Sequence, residues 1–330
     1  MIRCAFLLAV IACCLGAGQI SREHPVVRVG GTPYAFVAGH GSLWVLTCKE
    51  GCTEQGRSAI GRIVRIDPRK ARIVASNRFL RPDTAAVTAN GVYVLDFWRD
   101  RVRLVDPHAL RVVRTLKLRL PFVFSPRDNA FLPEAVAVSR HAVWVATDRG
   151  ALARTDLRLR RIISTTRLPA EAFGDPVGGM AVGEGAVWLA ESLAGVYRVD
   201  PGSARIIARI SVPLPSGRFD ATEVIPCGGE LLVLGARTSG GVLTPRNELA
   251  RIDVPRNRVE AVTTLPAGPL ELACGSRSLW LAHPSSSVVE RLDPSSGKVV
   301  ERRHARIGTA LAFAGGHLWT AFEDGTVRQL

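Results

Sequence analysis

The sequence predicts an all-β fold: a seven-bladed β-propeller of four-stranded blades, with the last blade closed by the N-terminal strand. Three observations carry that prediction. A residue mark recurs at a period in the forties; each period divides into short strands with turn residues only at the joints; and the two ends of the chain supply complementary parts of one unit.

The first mark is the aromatic of "GSLWVL". It recurs as Trp44, Tyr93, Trp144, Trp188, Trp280 and Trp319, with Leu232 of "ELLVL" filling the gap. The spacings are 49, 51, 44, 44, 48 and 39 residues. The second mark is Arg-x-Asp, at Arg65–Asp67, Arg154–Asp156, Arg198–Asp200, Arg251–Asp253 and Arg291–Asp293, with "LVD" ending at Asp106 in its place in one unit. Hence "AVWLAESLAGVYRVDPGSARIIARISV" (186–212) and "SLWLAHPSSSVVERLDPSSGKVVERRHA" (278–305) are two copies of one unit, blades four and six.

Within a unit, "GMAVG", "AVWLA", "GVYRVD" and "ARIIARISV" read as four strands rich in Val, Ile and Trp. No segment keeps a helical stripe for three turns. The small first strand suits the crowded axis of a propeller, and the Trp of the second packs between blades. The Asp ending the third caps the next turn through its carboxylate; six copies of it do not suit one catalytic site. At the ends, 310–330 supplies three strands and no fourth, and "HPVVRV" (His24–Val29) resembles the missing one. Joining them closes the ring and removes exposed sheet edges. The region 24–330 is therefore one propeller domain.

Residues 1–18 read as a signal peptide: Arg3, an apolar run from Ala5 to about Leu15, then small residues. The run is too short to span a bilayer. "GAG" before Gln19 suits ordinary signal peptidase, whereas "VIAC" ending at Cys13 reads as a lipobox; both routes stay open, and both make the protein extracytoplasmic, secreted or anchored to the cell envelope. In an oxidising compartment the pair in "TCKEGC" predicts a Cys48–Cys52 disulfide. A zinc site lacks partners at suitable spacing. Cys227 and Cys274 are expected as two small buried thiols.

The 330-residue chain carries a formal charge of +14, but its lysines are Lys49, Lys70, Lys117 and Lys298 alone, and its arginines are spread along the chain. Specific nucleic-acid binders concentrate their charge, so that class is set aside. A membrane role is expected only through a lipid anchor, and the protein is expected to be a monomer.

The irregular segments 47–61, 96–100, 120–133, 171–176, 214–220 and 235–246 all fall on one propeller face, while the other has short Gly turns. That face is the candidate binding face for a protein, glycan or small molecule. Its segments are aromatic: Phe97, Trp98, Phe122, Phe124, Phe131, Phe173 and Phe219. At the start of the inner strands stand Asp83, Glu134, Glu223 and Glu271, each nine or ten residues before its unit's mark, and so aimed at one central mouth. Converging carboxylates suit magnesium or calcium, with Glu134, Glu223 and Glu271 as candidate ligands, or acid–base work. The plainer alternative is that each bonds strand-end amides or neighbouring arginines.

The "LWVA…G.V.RIDP.TG.VV" rhythm resembles the bacterial exported propellers related to virginiamycin B lyase and the NHL/YVTN-type repeat proteins, over about residues 24 to 330. The resemblance implies the fold, in a superfamily that mixes lyases, lactonases, adhesion modules and scaffolds. For a lyase it implies a catalytic histidine, a second histidine, a glutamate and a bound magnesium at the mouth. Here His40, His141 and His317 fall in turns of the opposite face and His108 follows a third strand. His283 of "WLAHPSS" is on the decorated side, with Glu191 of "WLAESLAG" at the matching place two blades away.

Two function classes follow. One is a propeller that binds a ligand or partner without chemistry, with Asp83, Asp96, Trp98, Glu134, Glu191, Glu223, Glu271 and His283 as candidate contacts. The other is a metal-assisted lyase or lactonase-like enzyme that uses His283 with Glu191 and Glu271. No Gly-x-Ser-x-Gly elbow and no phosphate-binding Gly loop is present.

Overall fold

The computed structural model describes residues 24–50, 60–80, 84–96, 100–118, 133–147, 150–169, 177–191, 195–239, 242–265 and 271–330. The chain enters through β1 (Val26–Arg28). Blade one is β2 (Thr32–Gly39), β3 (Ser42–Glu50), β4 (Ile60–Asp67) and β5 (Arg72–Leu80); blade two is β6 (Thr84–Thr88), β7 (Gly91–Asp96), β8 (Arg101–Val105) and β9 (Val112–Lys117). Blade three is β10 (Pro133–Val138), β11 (Ala142–Thr147), β12 (Ala151–Asp156) and β13 (Ile162–Arg167). Blade four is β14 (Val177–Gly183), β15 (Ala186–Glu191), β16 (Gly195–Val199) and β17 (Ile206–Ile210). Blade five is β18 (Arg218–Cys227), β19 (Glu230–Ser239), β20 (Val242–Asp253) and β21 (Arg258–Leu265). Blade six is β22 (Glu271–Gly275), β23 (Ser278–His283), β24 (Val288–Leu292) and β25 (Val299–His304). Blade seven takes β26 (Ala310–Ala314), β27 (His317–Phe322) and β28 (Thr326–Gln329), and β1 is its outer strand.

The described residues thus form seven four-stranded antiparallel sheets. Val26, Val27 and Arg28 pair with Arg328, Val327 and Thr326, and the Val29 amide donates to the Gly325 carbonyl at 2.9 Å. The inner strands β2, β6, β10, β14, β18, β22 and β26 contact one another in cyclic order, β26 returning to β2. The ring is closed.

Apolar packing is divided among seven seams between blades, and the recurring mark explains why. Trp44 lies in the cluster between blades one and two, Tyr93 between two and three, Trp144 between three and four, and Trp188 between four and five. Leu232, Trp280 and Trp319 do the same at the remaining seams. The indole N–H, which needs a partner when buried, donates to the end of the preceding strand: Trp44 to the Gly39 carbonyl at 3.2 Å, Trp188 to Gly183 at 2.9 Å and Trp319 to Ala314 at 3.2 Å.

The second mark has two roles. In blades one, three, four and six the Arg pairs across the strands with its own blade's Trp and lies over the ring, as Arg65 on Trp44 (5.5 Å) and Arg198 on Trp188 (5.3 Å), a cation–π contact. In blades one, three and four the guanidinium then reaches the turn of the next blade: Arg65 donates to the Pro107 carbonyl (3.1 Å), Arg154 to Gly202 (2.6 Å) and Arg198 to Val254 (2.8 Å). In blade two, where Leu104 replaces Arg, the Tyr93 hydroxyl makes the equivalent bond to the Leu157 carbonyl at 2.8 Å. The Asp of the mark caps the turn that receives this bond: Asp106 accepts from the His108 and Ala109 amides at 2.9 and 2.6 Å.

Three expectations need correction. Residues 218–220 of the segment 214–220 and the described residues of 235–246, read as loop, are strand: β18, β19 and β20 run 10, 10 and 12 residues, with Phe219 opposite Arg237 and Thr238 opposite Leu243. Blade five therefore extends as a ribbon beyond its neighbours. Phe219 is only 3% exposed and packs in the seam of blades four and five, so it is not a rim aromatic. Cys227 and Cys274, expected as thiols, form a disulfide with Cα atoms 5.6 Å apart. They sit near the ends of β18 and β22, one residue apart in register and therefore on opposite pleats, so that each faces the other across the seam between adjacent inner strands. Cys48 is disulfide-bonded; Cys52 lies outside the described residues. So do the 1–18 segment and the Cys13 lipobox.

Candidate functional site

The two propeller faces differ in how their strands are joined. On one face the first and second strands are joined by two-residue turns in six blades and by the three residues 139–141 in blade three; His40–Gly41, Glu184–Gly185 and Gly315–Gly316 are examples, with positive φ at these residues. The longer connections fall on the other face: 51–59 between β3 and β4, 118–132 between β9 and β10, 168–176 between β13 and β14, and 211–217 between β17 and β18. The blade-five ribbon rises on the same face. Its base is fixed by Glu248, which accepts from Arg237 Nε at 3.0 Å and from the Thr264 hydroxyl at 2.8 Å. Sequence reasoning missed this network. The available signal was Gly235, which stands where the other second strands carry a side chain; a Cβ there would lie 2.5 Å from the Phe219 ring.

The central mouth is lined by the first residues of the inner strands. Glu223 pairs with Leu234 and Glu271 with Ala282, two residues past their blades' marks. The same register holds Ala35, Thr84, Ala135, Gly179 and Ala310 in the other blades. Two adjacent glutamates thus stand in an otherwise small-residue ring. Glu223 keeps contact with solvent, yet protein surrounds it closely, and that crowding pushes its carboxyl up to about 7. Burial pushes Glu271 up to about 7 as well, with the charge of Glu223 adding to it. Such a pair holds a proton near neutrality.

Glu134 occupies a different level. It is the extra residue of a β-bulge, between the Pro133–Thr147 and Ala135–Ala146 pairs. Its backbone enters the mouth two blades from Glu223; its side chain, like Asp83 and Trp98 entirely, lies outside the described residues. So do Phe97, Phe122, Phe124, Phe131 and Phe173.

Asp96, Glu191 and His283 share a third location. All end second strands, three residues past the mark, and are 0%, 0% and 5% exposed. An odd offset puts them on the opposite pleat from the mark, facing the preceding seam instead of the axis. Asp96 accepts from Arg101 Nε at 2.7 Å and from Arg103, which lies over the Phe79 ring of blade one. His283 Nε2 is 3.3 Å from Glu290 Oε2, and Glu290 Oε1 accepts from Arg302 Nε at 2.7 Å. These groups are engaged inside seams, one strand back from the mouth. Among the described residues no three His, Cys, Asp or Glu side chains group as a metal site.

No family model matches the sequence, and no curated protein matches it. Solved structures do. BamB from Moraxella catarrhalis is similar with a TM-score of 0.58 and 13% identity, over 92% of this chain and 84% of that one. The Pan2 WD40 domain of Neurospora crassa is similar with a TM-score of 0.63 and 10% identity, over 93% and 95%. The chain is a seven-bladed propeller. At such identities the likeness shows the fold alone.

Proposed function

We propose that the protein is an exported propeller, secreted or held at the cell envelope, that binds a partner at its decorated face without chemistry of its own. The observation that carries this reading is the one-sided placement of the long connections and of the blade-five ribbon. Drift in loop length has no reason to prefer a face, whereas binding surfaces are built on loops held by a rigid scaffold. A protein partner is favoured, because the ribbon adds a raised strand pair to a broad face. Export is supported by the N-terminal pattern and by the Cys227–Cys274 disulfide, which suits an oxidising compartment. The test is to crosslink the purified protein in an envelope extract, with and without residues 238–243 of the ribbon. Loss of the crosslinked species on shortening the ribbon, with retention when the Glu184–Gly185 turn is altered, supports the reading; equal loss in both refutes it.

The second reading is a metal-assisted lyase or lactonase-like enzyme at the mouth, as the resemblance to virginiamycin B lyase relatives implies. What favours it is the Glu223–Glu271 pair. Two described carboxylates do not make a coordination shell for magnesium or calcium, so it also needs Glu134. Titrating magnesium and calcium into the protein separates the readings: micromolar binding abolished by Glu271→Gln favours the enzyme, and no binding favours the scaffold.

A further inference from the structure

A cleft of about 630 Å³ opens at the decorated end of blade one, on the seam with blade seven, and its charged lining is Lys49, Arg62 and Arg78. Arg62 and Arg78 are directly opposite across β4 and β5, an arrangement that costs stability between like charges. The same row in blade two reads Asp96, Arg101, Lys117, and there the Asp96 carboxylate takes Arg101 at 2.7 Å. In blade one the row reads Thr47, Arg62, Arg78. A threonine stands where the neutralising acid would be, and its buried hydroxyl has no partner among the described residues.

Two features of the backbone favour a ligand here. Lys49 is the extra residue of a β-bulge between the Cys48–Gly61 and Glu50–Ile60 pairs; bulges redirect side chains and recur beside sites. Gly30 and Gly31, at φ +73° and +140°, keep the floor open. A Cβ on Gly31 would lie 2.8 Å from the Cys48 carbonyl oxygen, and one on Gly30 would lie 3.8 Å from Arg62 Cδ, over its stem. Arg62 Nε donates to the Ser76 hydroxyl at 2.8 Å, which anchors the guanidinium. Among the described residues, none of the three cations is in an ion pair. A second basic cleft, at the seam of blades six and seven, differs: Arg328 reaches Asp324 at 3.4 Å, and Arg306 and Arg328 lie over Phe322.

We propose that the blade-one cleft binds a tetrahedral oxyanion, a phosphate or sulfate group, held by Lys49, Arg62 and Arg78. The planar guanidinium forks match such an anion's oxygens and the ammonium adds a point charge. The group would supply the negative charge that Asp96 supplies in blade two. The site has its own ligand and stands whether or not the partner-binding reading holds.

The test is calorimetric and thermal titration of the full protein with orthophosphate and with phenyl phosphate, against chloride at matched ionic strength. Phosphate raises the Tm with concentration, sulfate competes, and chloride does neither. Arg62→Gln with Arg78→Gln weakens binding at least about tenfold, while Arg306→Gln leaves it unchanged. Arg78→Glu, at an exposed position, provides an internal carboxylate, so that protein keeps its Tm without phosphate and no longer responds to it. Phenyl phosphate binding as well as orthophosphate places the group on a larger ligand; binding of orthophosphate alone assigns the free ion. A chloride response equal to that of phosphate, or undiminished binding in the double variant, overturns the proposal.

Discussion

Two sets of carboxyl groups titrate in opposite senses, and the difference lies in what surrounds each. The turn-capping acids are held low by hydrogen bonds to the charged form: Asp106 by the Ala109 and His108 amides, Asp200 and Asp293 by the Ser203 and Ser295 hydroxyls, Asp324 by Thr326. Their contribution is present above the ordinary carboxylate range and is lost as pH falls through it. Glu223 and Glu271 are raised to about 7, so the fold favours their protonated form. Their contribution is present below the ordinary glutamate value and declines as pH rises through about 7. Urea midpoints measured from pH 3 to pH 9 should therefore pass through a maximum, and Glu223→Gln with Glu271→Gln should flatten the high-pH limb alone. A double variant with the wild-type limb would refute the assignment. Both glutamates were legible from the sequence because each lies nine residues before its mark, in step with the pleat. Glu134, at ten, was counted with them, but the bulge it occupies adds a residue that counting cannot reveal and sets its backbone at a different level. Glu191 and His283 were read as mouth residues, and Asp96 as a contact of the decorated face, because their loops open there; the parity of their offset turns all three into the seams.

At the scale of the blade, the repeated marks proved to be joints. Trp fills a seam, Arg stacks on it and reaches the next turn, and Asp shapes the turn that is reached. This made the blades legible: every seam needs the same parts, so the sequence repeats them. Tyr93 tests the reading. Tyr93→Phe removes the hydroxyl bonded to Leu157 and should cost about 1 kcal/mol, read as a lower urea midpoint with an unchanged slope; an unaltered midpoint would count against the joint. The fifth seam lacks both aromatic mark and stack, having Leu232 opposite Arg251, and there the disulfide crosses from blade five to six. It closes a sequence separation of 47 residues, so Cys227→Ala with Cys274→Ala should cost up to about 4 kcal/mol. Denaturant unfolding under oxidising and reducing conditions checks this, and the double variant should abolish the difference due to this bond. The pairing was not legible because adjacency at the axis is a property of the closed ring. The ribbon was obscured for another reason: the Gly and polar residues of 235–246 carry turn chemistry, while cross-strand pairing with 218–221 decides the structure.

The molecule as a whole depends on one short strand. β1 is three residues long, and without it blade seven exposes the edge of β28 and the ring loses its closing sheet. Deleting 24–29 should lower the melting temperature and promote self-association through that edge; a truncated monomer melting with the parent would contradict the closure. The pairing also sets how the molecule bears load. Val26, at the start of β1, lies opposite Arg328, near the end of β28. The two chain directions therefore leave the pair from the same end. Tension applied across both termini peels the antiparallel pair open one hydrogen bond at a time, a zipper geometry that yields at low force, whereas strands drawn in opposite directions would share the load among all their bonds at once. A tether at one terminus leaves the closure unstressed, and traction on both makes it the first part of the propeller to open.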